Sequence, residues 1–351
     1  LHELDPLCAS GSNYRELTFL KRDNTLSHSI TQAEPSLSAS FTAACIQLCT
    51  TRDVKVNCDA IVTLIREAAH HGAQYIQTPE MSNVLERDRH LLFEKVTTPD
   101  QDSVLNALRE EARRLNVYIH IGSLAVRSGA FSSEPSGAQE GQLDSGLRDL
   151  KGGVSEGNGI KQKDLREKLA NRAFVIDPTG AIIATYDKMH LFDVDLPNGE
   201  SWCESNTYIR GNEAISVDLP WGKLGLAICY DLRFPMLFHT LAQREAIFLS
   251  APAAFTRQTG EAHWQVLQRA RAIETGSFMI SAAQGGHHDD GRETYGHSII
   301  VDPWGRILAE ATGDFSMQTP QVIYATIDSN IAYKARSRIP TLQHVRHFDS
   351  I

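Results

Sequence analysis

Apolar positions along the chain follow two periods, and each stretch predicts its own element. The run FTAACIQL (41–48) is apolar almost throughout and predicts a buried strand. From Asn57 to His71, the residues Ile61, Val62, Leu64, Ile65, Ala68 and Ala69 recur at helical spacing until Gly72 ends the helix. AQYIQTPE reads as a second short strand broken by Pro79, and VYIHIGSLAV as a third. Between them Asp102 to Asn116 is a second amphipathic helix, with Val104, Leu105, Leu108, Ala112 and Leu115 on one face. Farther on, RAFVIDPTGAIIATYD reads as two strands around an Asp-Pro-x-Gly turn; the device recurs in HSIIVDPWGRILAE, and LPWG at 219–222 is similar. Such hairpins mean that the sheets are not purely parallel. With helical patterns at 235–244, 261–275 and 328–338, the expected fold is a layered α/β domain whose helices cover sheets that meet face to face.

Two stretches break the periodicity. Residues 1–40 mix seven serines with isolated charges and follow neither period, which predicts a mobile extension ahead of one domain at 41–351. Between Gly129 and Gly159 there are eight glycines among serines and acids, followed by the charged IKQKDLREKL. That composition cannot bury enough surface to order itself, so a flexible surface insertion is expected at about 129–170.

Charge and cysteine usage narrow the setting. A chain of 351 residues with 42% hydrophobic and 22% charged residues can build one large or two ordinary domains. Its net charge of -9, with no basic block, argues against nucleic acid or an anionic membrane surface as a partner. Six cysteines without a CxxC pair point to free thiols in a reducing compartment, the cytoplasm by default. No run of about 18 apolar residues predicts a membrane span, and the start lacks the order of a signal peptide. The chain opens on Leu1 rather than Met, as a processed or truncated start would.

The chemistry concentrates in LGLAICYDLRFP (224–235). A strand delivers Cys229 to its C-terminal end, and Phe234-Pro235 opens the next helix. Peptide N–H groups in the intervening turn, with the positive helix end, lower a thiol pKa and can bind an oxyanion. A buried structural cysteine accounts for the same position. Fourteen histidines leave a Cys/His pair open. Two polar residues also follow strands, Glu80 in IQTPEMSN and Lys188 in ATYDKMHLFDVDLP. Beside a thiol, a carboxylate can take its proton and an ammonium can stabilise the oxyanion of amide chemistry.

Taken together, TPEM, YDKMHLFDVDLP and AICYDLRFP resemble the nitrilase superfamily of carbon-nitrogen hydrolases, whose signature is a Glu-Lys-Cys triad. CESNTYIRG, TGEAHWQVLQRARAIE, YGHSIIVDPWG and IPTLQHVRHFD extend the resemblance over about 41–349. It implies an αββα sandwich, a homodimer packed sandwich to sandwich, and neither cofactor nor metal. It also implies roles: Cys229 as nucleophile, Glu80 as base, and Lys188 with the Tyr230 N–H at the oxyanion of an unsubstituted amide that loses ammonia. The family's second glutamate matches Glu204, with Glu200 as the other choice. AAQGGHHDD with ETYGHS resembles the deaminated glutathione amidase branch more than the omega-amidases that act on alpha-ketoglutaramate. A carboxylate-bearing amide needs a cation, and Arg233, close to the nucleophile, is the nearest candidate where it does not instead bridge to Asp231. His287 and His288 are further substrate-binding candidates, or surface residues of a Gly-flanked loop. A nitrilase acting on nitriles and a non-catalytic binding protein on the same fold are the rival readings.

Overall fold

The computed structural model describes residues 40–128, 168–197, 199–312 and 320–346. Nearly all of the extension expected over 1–40 and of the insertion expected at 129–170 lies outside them. Two boundaries change: Ser40 already begins a strand, and Leu169 and Ala170 are buried strand residues rather than the end of an insertion.

Two six-stranded paths form the sandwich. The first sheet runs in the order Gln321–Asp328, Ser40–Gln47, Tyr75–Gln77, Tyr118–Arg127, Leu169–Ile176 and Ile182–Asp187, with Tyr208–Ile209 added beside Leu169–Ile176. The second runs Ser216–Leu219, Gly222–Gly225, Ala246–Ser250, Phe278–Ser281, Ile299–Val301 and Ile307–Glu310. Each carries three parallel strands between antiparallel edges. The hairpins read from the Asp-Pro-x-Gly turns supply those edges.

Strand periodicity decides what each face meets. Along Ser40–Gln47, Ala43 and Cys45 point to the core shared with the second sheet, while Ala44 and Ile46 join Ile61, Ile65, Val104 and Leu108 of helices Val54–His70 and Ser103–Leu115. Both faces are therefore covered, which is why the run is apolar throughout. Between the sheets Phe41 stacks on Trp221 at 4.1 Å and meets Phe248 edge-on at 5.4 Å. Burying one such side chain stabilises by about 1.5–3 kcal/mol. Helices Pro235–Gln243 and Arg257–Thr275 close the second sheet's outer side through Leu237, Phe238, Leu241 and Trp264. The architecture is the expected αββα sandwich.

Caps explain the shifted helix ends. The first helix starts at Val54, not Asn57, because the Asp53 carboxylate accepts from the N–H groups of Lys55 and Val56. Thr256 caps the long helix in the same way, so it starts at Arg257, four residues before its apolar pattern begins. A short helix, Arg89–Lys95, has only Leu92 and Phe93 buried and gives no readable period.

Gly122 shows how the strands converge on one edge. A Cβ there would lie 2.2 Å from the Thr78 carbonyl oxygen, 2.6 Å from that of Pro79 and 2.5 Å from Pro252 Cβ. Thr78 and Pro79 lead into Glu80, and the Pro252 carbonyl accepts the Cys229 N–H at 2.9 Å. Gly122→Ala must therefore push apart the supports of both residues. It is expected to cost about 1–3 kcal/mol, read as a lower urea midpoint at unchanged m, and an unchanged midpoint would refute this packing.

Candidate active site

Cys229 stands at a sharp bend. Ile228 is extended, Cys229 takes φ +50°, and a 3₁₀ turn, Cys229–Arg233, follows before the helix opens at Pro235. The left-handed region costs a non-glycine residue about 1–3 kcal/mol, and such strain persists only where surroundings hold it. Here the Asp231 carboxylate accepts from the Ile228 N–H at 2.9 Å, and Pro252 holds the Cys229 N–H. Fully buried Asp231 also accepts from Tyr186 Oη at 2.7 Å and from His190 N and Nδ1 at 2.9 and 2.7 Å. One carboxylate thus ties the cysteine bend to the segment that carries Lys188.

Lys188 follows strand Ile182–Asp187 and is buried, at 2% exposure. Its Nζ donates to Glu80 Oε1 at 2.8 Å and to Glu204 Oε2 and Oε1 at 2.9 and 3.2 Å. Glu80 Oε2 accepts the Ala254 N–H at 2.9 Å, and the Glu80 carboxylate acts electrostatically on the Cys229 thiol. Glu204 Oε2 also takes the Phe192 N–H at 2.7 Å. All four side chains line one cavity of about 440 Å³.

Charge balance sets the protonation states. Burial drives the Cys229 thiol well above its ordinary value and the Glu80 carboxylate pushes the same way, while Lys188 and the Ala254 N–H oppose them without prevailing. Burial alone would also raise Glu80, yet the Lys188 charge and the donors Lys188, Cys229 and Asn171 hold it below its ordinary value. For Lys188, burial favours the neutral amine; Glu204 and then Glu80 reverse this and keep the ammonium well above the usual lysine range. Two carboxylates around one ammonium leave a net negative charge, so a thiolate would add a second in a dry site. The expectation of a lowered thiol pKa is corrected: the helix begins only at Pro235, too far to offset burial. The resting proton stays on sulfur, with the Glu80 carboxylate in the same cavity.

Known proteins share this arrangement's fold and sequence. The family model described as carbon-nitrogen hydrolase matches residues 42–144 and 150–337. This chain belongs to the carbon-nitrogen hydrolase family. A probable hydrolase, nit2, of Schizosaccharomyces pombe is 34% identical over 304 residues, 86% of this chain and 96% of that protein. The deaminated glutathione amidase of Homo sapiens is 34% identical over 304 residues, 86% of this chain and 81% of its own. Among solved structures, the C. elegans NitFhit protein matches with a TM-score of 0.70 at 30% identity, over 88% of this chain and 65% of NitFhit. Saccharomyces cerevisiae Nit3, a member of branch 10 of the nitrilase superfamily, gives 0.65 at 25% identity, over 87% and 96%.

The site of this carbon-nitrogen hydrolase keeps some expected residues and drops others. Tyr230 and Arg233 line the cavity. Arg233 makes no bridge to Asp231; its guanidinium lies 5.9 Å from the Tyr230 ring centroid and 5.2 Å from that of Phe255, with Nη1 3.2 Å from His263 Nδ1. His287 and His288 do not line it. The exposed His287 ring pairs with Glu293 at 3.1 Å. The buried His288 ring spans the Thr50 carbonyl and Thr294 Oγ1 at 2.9 and 2.6 Å, so it supports a wall residue from behind. Glu200 accepts from Trp202 Nε1 at 3.3 Å and leaves Lys188 to Glu204. Among the described residues no group of three or more His, Cys, Asp or Glu could hold a metal ion.

Asn171 is the residue that sequence reasoning missed. Fully buried in strand Leu169–Ile176, its Nδ2 donates to Glu80 Oε1 at 2.9 Å and to Glu204 Oε1 at 3.1 Å. The available signal was an amide inside the apolar run LANRAFVI. Because Asn171 helps to hold Glu80 down, the acid limb of the pH–activity profile should lie below 4.5, the ordinary glutamate value, in the wild type. Any stability that Glu80 gains from its partners is full above that value and is lost as pH falls through its folded pKa. Asn171→Leu is expected to cut kcat about tenfold to a hundredfold and to move the acid limb upward. A variant profile that overlaid the wild type's would remove Asn171 from this account.

Proposed function

We propose that this hydrolase is a cysteine amidase acting on deaminated glutathione. The observation that carries the reading is the contact set of Lys188, which holds Glu80 at 2.8 Å and Glu204 at 2.9 Å in the cavity that Cys229 also lines. Sulfur attacks the amide carbonyl carbon while its proton passes to Glu80. The oxyanion is met by Lys188 and by the Tyr230 N–H, which lies in the first turn of Cys229–Arg233, where peptide donors have no intrahelical acceptor. Glu80 returns the proton to the departing nitrogen and the C–N bond breaks, leaving a thioester. Water then gives a proton to Glu80 as it attacks, the C–S bond breaks, and the thiol is restored. Glu204 fixes the Lys188 ammonium throughout.

The substrate rests on relatives named deaminated glutathione amidase, human and bovine, at 34% and 33% identity. With that substrate the departing group is an amine rather than the ammonia first expected. Cys229→Ala is expected to abolish turnover with the fold intact, and more than about a hundredth of wild-type kcat would exclude the covalent route. In side-by-side kinetics, kcat/KM for deaminated glutathione should exceed that for alpha-ketoglutaramate by about tenfold. The opposite ratio would make the protein an omega-amidase.

The working form of the proposal is a cytoplasmic homodimer, its catalytic domain at 41–351. Among the described helices none is long and apolar enough to cross a membrane. Val266 and Ile273, two turns apart on helix Arg257–Thr275, are 66% and 54% exposed beside Trp304 at 49%, an apolar strip suited to a second copy. Ile273→Asp should convert the sedimenting species from dimer to monomer, and a wild type already monomeric at micromolar concentration would overturn this.

A further inference from the structure

The cavity wall carries a chain of aromatic rings with guanidinium groups at both ends. Trp202 lies 6.3 Å from Phe192, and Phe192 5.1 Å from Tyr230, centroid to centroid. Arg233 stands at the Tyr230 end. At the other end the guanidinium carbons of Arg87 and Arg292 lie 4.5 and 5.2 Å from the Trp202 ring. All six residues line the same cavity as Cys229.

The charges at the two ends are not equally matched. Arg292 is held by the buried Asp290, Nε to Oδ2 at 2.8 Å. Of the acids that line the cavity, Glu86 is taken by Arg52 and Lys95 at 2.7 and 2.9 Å. Glu293 meets Arg257 at 3.4 Å and His287 at 3.1 Å. Glu80 and Glu204 hold Lys188. Arg87 and Arg233 meet no carboxylate among the described residues, Arg87 resting on Trp202 and Arg233 against His263. A guanidinium stacked on an aromatic ring keeps its N–H fork in the ring plane, ready for a carboxylate.

We propose that Arg87 and Arg292, mounted on Trp202, form a second anion subsite that binds a carboxylate on the amine side of the scissile amide. Arg233, four residues from the nucleophile, takes the carboxylate of the acyl side. The preferred substrate class is then an amide with an anionic group on each side of the bond that breaks. This rests on the amidase reading above and deepens it by assigning residues to the departing half.

The test compares two amides of one 2-oxo dicarboxylic acid, deaminated glutathione itself and its analogue with the terminal glycine carboxylate converted to a carboxamide. The readout is the ratio of their kcat/KM values within each enzyme. Wild type should favour the carboxylate about tenfold, mainly through KM. In Arg87→Gln the ratio should fall to near one, in Arg87→Lys it should lie between, and added salt should weaken the wild-type preference. Arg87 is exposed, so the variants should fold, with circular dichroism as the control. A wild type that hydrolyses both amides equally, or an Arg87→Gln variant that keeps the preference, would overturn the subsite and leave the amidase standing. A wild type that hydrolyses neither would overturn both.

Discussion

A lysine ammonium removed from water has to be answered by carboxylates, and the rest of the site follows from that requirement. Desolvating Lys188 costs several kcal/mol, which a poorly placed partner could not offset. Glu80 and Glu204 both come within 3 Å, from segments separated widely along the chain. Their combined charge outweighs the lysine, and the excess keeps the cysteine protonated while offering it an acceptor. A buried carboxylate and a buried thiol thereby share one site without a free thiolate open to oxidation.

Asp231 does the corresponding mechanical work. Four donors converge on it, from Tyr186, His190 and the residue before Cys229. Because Tyr186 lies one residue before the end of a strand of the first sheet and Cys229 follows a strand of the second, this carboxylate couples the two layers. The His190 ring lies flat on Phe234 at 3.6 Å, which holds its Nδ1 toward the carboxylate. The strained bend of Cys229 is thus fixed by the same group that fixes the approach of Lys188.

Much of this was legible in the sequence, and the losses have physical causes. Strand and helix periods located the layers because the central strands of each sheet are buried on both faces, and Glu80, Lys188 and Cys229 stood out as polar residues where strands end. Thiol acidity was misjudged because a linear reading sees the turn and the helix but not the burial, and burial dominates here. Asn171 was passed over because its partners, Glu80 and Glu204, are distant in sequence. His287 and His288 were overvalued for a similar reason: the Thr50 carbonyl that engages the His288 ring comes from the start of the domain. Helix caps displaced the starts of Val54–His70 and Arg257–Thr275 by a few residues, where the first turn is polar.

The pairing of Ser40–Gln47 with Gln321–Asp328 has a kinetic side. It places the earliest described strand between an early neighbour, Tyr75–Gln77, and one of the last, so the first sheet cannot be completed until most of the chain has been synthesised. Contacts of such long range form slowly because the loop entropy must be surrendered first. Until then the edge of Ser40–Gln47 stands open, an apolar strand with unpaired backbone groups that is exposed to aggregation. The first described strand is therefore the part of the growing domain most open to edge-to-edge association until Gln321–Asp328 docks.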